Sequence, residues 1–192
     1  ILPGLIEASE SSYAVLGITT DISVSSYGKY PLTEVDQDAL MKPLTKWNTV
    51  IKQSAHIPRM VRTAFRAMTT GRSGAAHLGL PYDIQYDQVD PSDIWADPKH
   101  QSYPAYPQAP EQGAAEAAVD AILSAKKPLI VCGGGVVISG AMEALSRLAT
   151  RLYIPVATSI SGQGSLAETH PNCLGVVGSN GGTDQTWELM EQ

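Results

Sequence analysis

The residues with the most evident chemical potential are glycines. Gly133-Gly134-Gly135 follows the apolar run Leu129-Ile130-Val131-Cys132 and precedes an amphipathic segment that starts at Ala141. A glycine turn at the carboxyl end of a strand lets a phosphate approach backbone N–H groups at a helix N-terminus. Gly162-Gln163-Gly164 and Gly178-Ser179-Asn180-Gly181 are further glycine turns placed after later strands. Together they would form an adenine-nucleotide cleft, and they serve equally well as ordinary loop punctuation. A dinucleotide G-x-G-x-x-G would need glycine at Ile138, and the next one is Gly140. The following strand ends in Thr158-Ser159, with no acid to read a ribose hydroxyl, so NAD is disfavoured. His56, His77, His100 and His170 show no metal-ligand spacing, and no metal site is expected. Asp36 and Asp38 flank Gln37 as a loop carboxylate pair, and no G-x-S-x-G elbow occurs. From these residues alone the reaction stays open between catalysis and nucleotide binding.

The elements that must position them alternate between helix and strand. Tyr13 to Thr19 reads as a buried strand and Lys46 to Lys52 as a half-buried one. Ile57, Met60, Val61, Ala64, Phe65 and Met68 recur at helical spacing, with Pro58 tolerated in the first turn. Gly71-Arg72-Ser73-Gly74 ends that helix, and Ala75 to Leu80 is a further buried strand. From about Ile84 to Gln112 the chain is rich in Pro, Asp, Gln and Tyr without periodicity, as an interdomain linker would be. Glu111 to Ala125 is a helix, Leu129 to Cys132 a strand, Ala141 to Leu152 a second amphipathic helix, and Ile154 to Ala157 the next strand. Strand, glycine turn, helix and strand make a βαβ crossover, which implies a parallel sheet. The fold class is therefore α/β: two parallel-sheet units joined by a Pro-rich linker, the second Rossmann-like.

Composition narrows the partners. The 192 residues carry 13 Lys+Arg against 19 Asp+Glu, a net charge of −6, and 43% are hydrophobic, which is globular and too apolar for disorder. Without a basic stripe, nucleic acid is not an expected partner. The longest uncharged apolar run, from Pro128 to Met142, is too short to cross a bilayer. No signal peptide is visible, and Cys132 and Cys173 lack a C-x-x-C pairing, so two free thiols in a reducing cytoplasm are expected. The chain opens on Ile1-Leu2-Pro3-Gly4 and closes on a helical Trp187 to Gln192, which reads as a piece of a longer protein.

Several segments taken together resemble the thiamine-diphosphate enzyme superfamily, on its acetolactate synthase-like branch. Leu32-Thr33-Glu34-Val35-Asp36-Gln37 and Met41-Lys42-Pro43-Leu44-Thr45-Lys46-Trp47 are similar to the segment closing the family's pyrimidine-binding domain. Gly71-Arg72-Ser73-Gly74-Ala75-Ala76-His77-Leu78-Gly79-Leu80-Pro81 looks like its GRPGPVHLDLP strand. Lys127 to Gly135, Ile154 to Thr158, Gly162-Gln163-Gly164 and His170-Pro171 are similar to its central domain.

The resemblance implies the end of the pyrimidine-binding domain over 1–84, a linker over 85–112 and an incomplete central domain over 113–192. It also implies thiamine diphosphate and Mg²⁺ in the full-length enzyme, a 2-keto acid substrate such as pyruvate, and a parent homodimer or homotetramer. The family's activating glutamate lies upstream and its Gly-Asp-Gly motif in a third domain. No Gly-Asp-Gly occurs here, so the chain alone is expected to be inactive. Carried over residue by residue, Thr33, Glu34 and Lys46 fall at the active-site edge. Thr33 replaces a family Gln and is too short to make an amide's paired hydrogen bonds. In flavin-containing members FAD would lie along Arg72, Gly133, Gly134, Gly162, Gly164, Gly178, Ser179, Asn180 and Gly181. The alternative is a non-catalytic module that binds ADP or FAD.

Overall fold

A computed structural model describes residues 1–178 and 181–191, the Gln185 side chain excepted. The chain divides into two compact units, Ile1–Tyr106 and Pro107–Gln192. Both are α/β with a three-stranded parallel sheet, the class expected from the sequence.

In the first unit β1 (Leu16–Asp21), β2 (Trp47–Val50) and β3 (Ala76–Pro81) lie in the order β1-β3-β2. Leu16 and Trp47 both pair with Ala76, so the three carboxyl ends share one edge. The central β3 is covered almost throughout, as a parallel strand flanked on both sides must be. The strand expected over 13–19 starts later, at Leu16, and takes an edge position, where fewer neighbours cover it; Ile18 is 54% exposed. Helix α1 (Leu2–Glu10) and the short α2 (Gln37–Met41) were not evident from the sequence pattern. Leu5 and Ala8 of α1 bury themselves with Met41 and Ala75. Helix α3 (Ile57–Thr69) follows the predicted stripe, with Pro58 in its first turn, and seats Ala64 and Met68 against Ile51, Ala76, Leu78 and Ile84.

The Pro-rich stretch does not run free after Ile84. Through Tyr106 it belongs to the first unit and is held by side-chain and backbone groups of α3. Arg62 donates to the Asp93 carbonyl and carboxylate at 2.6 and 2.8 Å, the Ala105 N–H donates to the Thr69 carbonyl, and the His100 ring meets the Thr69 hydroxyl.

In the second unit, α4 (Gln112–Ser124) is capped by Glu111, whose carboxylate accepts from the Gly113 and Ala114 N–H groups. Strands β4 (Ile130–Cys132), β5 (Val156–Thr158) and β6 (Cys173–Val176) form a parallel sheet in that order. Between β4 and β5 come α5 (Gly134–Ile138) and α6 (Met142–Leu152), and α7 (Asp184–Met190) follows β6. Leu145 and Ala149 of α6 pack with Cys132, Val156 and Leu166. Among the described residues no helix is long and apolar enough to cross a membrane.

Candidate functional site

In a parallel sheet, ligands collect beyond the carboxyl ends of the strands. There the first unit has a cavity of about 420 Å³ whose lining includes Asp21 and Val50, the last residues of β1 and β2, and Glu34, Asp36, Asp38 and Lys52. The Asp21 carboxylate accepts from the Tyr27 hydroxyl at 2.6 Å and from the Ile22 N–H at 2.7 Å. Burial raises the Tyr27 hydroxyl pKa well above the ordinary phenol range, and the hydrogen bond to Asp21 adds to it. Lys52 lies 5.6 Å from the centre of the Tyr27 ring.

Glu34 lines this cavity, and both its oxygens are engaged, accepting from the Gly28 and Tyr30 N–H groups at 2.7 and 2.9 Å. Thr33, just ahead of it, is exposed and lines neither this cavity nor the one around Lys46. The Asp36–Asp38 pair is structural as well as acidic. Asp36 caps α2 by accepting from the Ala39 N–H at 2.9 Å, and Asp38 accepts from Asn48. Removing the cap with Asp36→Ala should cost about 1 kcal/mol of stability, read as a lower urea midpoint at unchanged slope.

Behind the cavity a chain of hydrogen bonds reaches the core. Gln37 Nε2 donates to the Thr20 carbonyl at 2.8 Å, which leaves its Oε1 to accept from the Thr19 hydroxyl in a very short contact. That hydroxyl has one proton, so His77 Nε2 must be the donor across its 2.8 Å contact with Thr19 Oγ1. Neutral His77 then keeps a lone pair on Nδ1, an atom buried with no hydrogen-bond partner among the described residues. Burial holds the His77 pKa below its ordinary value, and the Asp38 and Asp21 charges oppose that only in part.

Lys46 sits at the other end of the sheet. It immediately precedes β2, and its ammonium donates to the Thr70 and Arg72 carbonyls at 2.7 Å each, beside a cavity of about 290 Å³. Burial lowers its pKa. Arg72 lines the same cavity, but its guanidinium is spent on the end of α1, donating to Ser12 Oγ and to the Ser9 and Glu10 carbonyls. The structure therefore separates Glu34 from Lys46 by the length of β2.

The second unit does gather its glycines at the carboxyl edge, after β4, β5 and β6. Their reasons differ. A Cβ on Gly162 would lie 2.2 Å from the Cys132 carbonyl oxygen, and one on Gly134 would lie 3.0 Å from the Ser161 carbonyl oxygen. These two are required by backbone packing of one turn on the other. A Cβ on Gly133 would only touch Ser159 Oγ at 4.0 Å and one on Gly164 would meet nothing; Gly164 and Gly178 adopt positive φ, and Gly178 bridges to Gly181. Ser165 Oγ, beside Gly164, is buried with no hydrogen-bond partner among the described residues. Ser179 and Asn180 lie outside the described residues. Cys132 and Cys173 are free thiols, and no cluster of three metal-ligating side chains occurs among the described residues.

Comparison with known proteins agrees with this architecture. Residues 115–192 match the thiamine pyrophosphate enzyme central domain. The chain is 37% identical over 195 aligned positions to a probable acetolactate synthase large subunit of Methanocaldococcus jannaschii, an alignment covering 100% of this chain and 32% of that protein. It is 31% identical to the acetolactate synthase large subunit of Lactococcus lactis, covering 98% of this chain and 32% of that one. It is 30% identical to glyoxylate carboligase of Escherichia coli O157:H7, over 93% of this chain and 29% of that enzyme. The chain spans about a third of the length of these curated relatives. It belongs to the thiamine-diphosphate-dependent enzyme superfamily, on its acetolactate synthase-like branch.

Proposed function

We propose that the chain is part of an enzyme that decarboxylates a 2-keto acid such as pyruvate and transfers or ligates the remaining two-carbon unit. The observation that carries this reading is continuity. Similarity runs through both units to relatives named for making acetolactate and through most of the chain to one named for ligating glyoxylate. Thiamine diphosphate, when bound, supplies the carbanion chemistry, and the protein supplies orientation and protonation. The cavity beside Glu34 does not suit the diphosphate: Asp21, Glu34, Asp36 and Asp38 outnumber Lys52, and like charges repel. In this reading the Mg²⁺–diphosphate is held outside this chain, Glu34 stiffens the active-site edge, and Lys46 and Arg72 brace the far edge. Exposed Tyr30, Leu32 and Val35 near the cavity support assembly of the parent as a homodimer or homotetramer.

The complete enzyme, given thiamine diphosphate and Mg²⁺, should release CO₂ from pyruvate or another small 2-keto acid, while this chain alone should release none. Decarboxylation by the chain alone, or a complete enzyme inert towards every such acid, would overturn the reading. FAD or ADP is proposed along Gly133, Gly164 and Gly178 of the second unit. A nucleotide at 100 times its Kd should stabilise the fold by about 2.7 kcal/mol. A melting temperature unmoved by either would remove the nucleotide.

A further inference from the structure

The stretch beyond Ile84 builds a concavity away from both sheet edges. Against α3 it encloses about 270 Å³, lined chiefly by Val61, Arg62, Phe65, Trp95, Asp97 and His100. A cavity of roughly 150 Å³ accommodates benzene and drug-sized sites begin near ~300 Å³, so this one suits a single-ring molecule. Val61, Phe65 and Trp95 give it apolar walls. Arg62 is already committed: its guanidinium lies 4.2 Å from the Trp95 ring centre and pairs with Asp93.

The polar end is defined by where protons must go. The Thr69 hydroxyl donates its only proton to the Phe65 carbonyl at 2.8 Å, so His100 Nδ1 must donate to Thr69 Oγ1, also at 2.8 Å. With the single ring proton of this tautomer on Nδ1, His100 Nε2 carries a lone pair. It faces Asp97 Oδ2 at 3.9 Å, too far for a hydrogen bond, while Asp97 Oδ1 accepts from the Lys99 N–H. Two acceptors stand side by side with no proton between them. One nitrogen carrying at least two N–H donors would satisfy both.

We propose that this cavity binds a single-ring primary amine, its ammonium bridging Asp97 Oδ2 and His100 Nε2 and its ring against Phe65 and Trp95. Charge-assisted hydrogen bonds fix the head group, and the aromatic faces favour both the ring and the cation. The site is independent of the thiamine-diphosphate chemistry and stands or falls separately.

The test titrates benzylamine, benzyl alcohol and benzoate into the chain and follows the Trp95 indole N–H resonance, assigned with Trp95→Phe. Benzylamine should shift it saturably and bind at least about tenfold more tightly than either analogue. Asp97→Asn keeps an acceptor for the Lys99 N–H and should weaken benzylamine by about tenfold. Ala96→Phe, at an exposed position on the cavity wall, should block binding of all three. If that variant does not fold, Asp97→Asn decides. No saturable shift, benzoate binding as tightly as benzylamine, or affinity unchanged in Asp97→Asn would each overturn the proposal.

Discussion

Gly162→Ala should unfold the second unit. The added methyl would lie 2.2 Å from the Cys132 carbonyl oxygen, 2.9 Å from its carbon and 3.2 Å from the Gly133 carbonyl carbon. All three are backbone atoms at the end of β4, so no rotamer change relieves the clash. Either the turn after β5 lifts away or β4 leaves the sheet, and both expose the cluster of Cys132, Leu145, Ala149 and Val156. The cost should exceed about 4 kcal/mol, at the far end of what single substitutions do. Gly135→Ala supplies the contrast: its Cβ meets nothing within 4 Å and it lies in α5, so it should be neutral or stabilise by up to about 1 kcal/mol. Amide spectra of the two variants separate the cases. A folded second unit in Gly162→Ala would refute the packing of the two glycine turns.

His77→Ala should destabilise the first unit by about 3 kcal/mol, because it opens a cavity in the central strand and leaves Thr19 without its donor. His77 is 0% exposed and connects through Thr19 to Gln37, so the loss should also loosen the cavity wall. The same residue sets a pH dependence. Its folded pKa is lowered, so below about pH 6.5 the unfolded chain binds a proton that folded His77 refuses. Stability should therefore fall as pH drops from about 6.5 towards the folded pKa, by up to about 1.4 kcal/mol per pH unit. The near-isosteric His77→Leu removes that titration. Urea melts across the window should show a flatter pH profile for the variant than for the parent chain. Equal slopes would mean that folded His77 takes up its proton as readily as the unfolded chain does.

Much of the scaffold was legible because periodicity is local. The stripe from Ile57 to Met68 gave α3, and the apolar run after Gly74 gave β3, buried because it is central. Helix α1 escaped because Pro3 and Gly4 mask a short pattern of Leu2, Leu5 and Ala8. The packing of residues 85–106 depends on Arg62, Thr69, Trp95 and His100, side chains that carry no periodic signal. The candidate site was less legible for the same reason. Glu34 and Lys46 are near in sequence, yet one precedes α2 and the other precedes β2, and only the sheet reveals that they face opposite edges. The glycines were visible as types, but the partner that forbids a side chain at Gly162 is the Cys132 carbonyl, far back in the chain. His77 looked like one residue of a strand until Gln37 and Thr19 fixed its tautomer.

The reaction itself is best tested with pyruvate labelled at its keto carbon, given to the complete enzyme with thiamine diphosphate and Mg²⁺ and followed by carbon NMR. A decarboxylating ligase that uses pyruvate as donor and acceptor should release unlabelled CO₂ and form a product in which two labelled carbons are bonded to each other. Pyruvate reduced at the keto carbon without loss of CO₂, or pyruvate and every other small 2-keto acid left intact, would contradict the assignment to decarboxylation and two-carbon transfer.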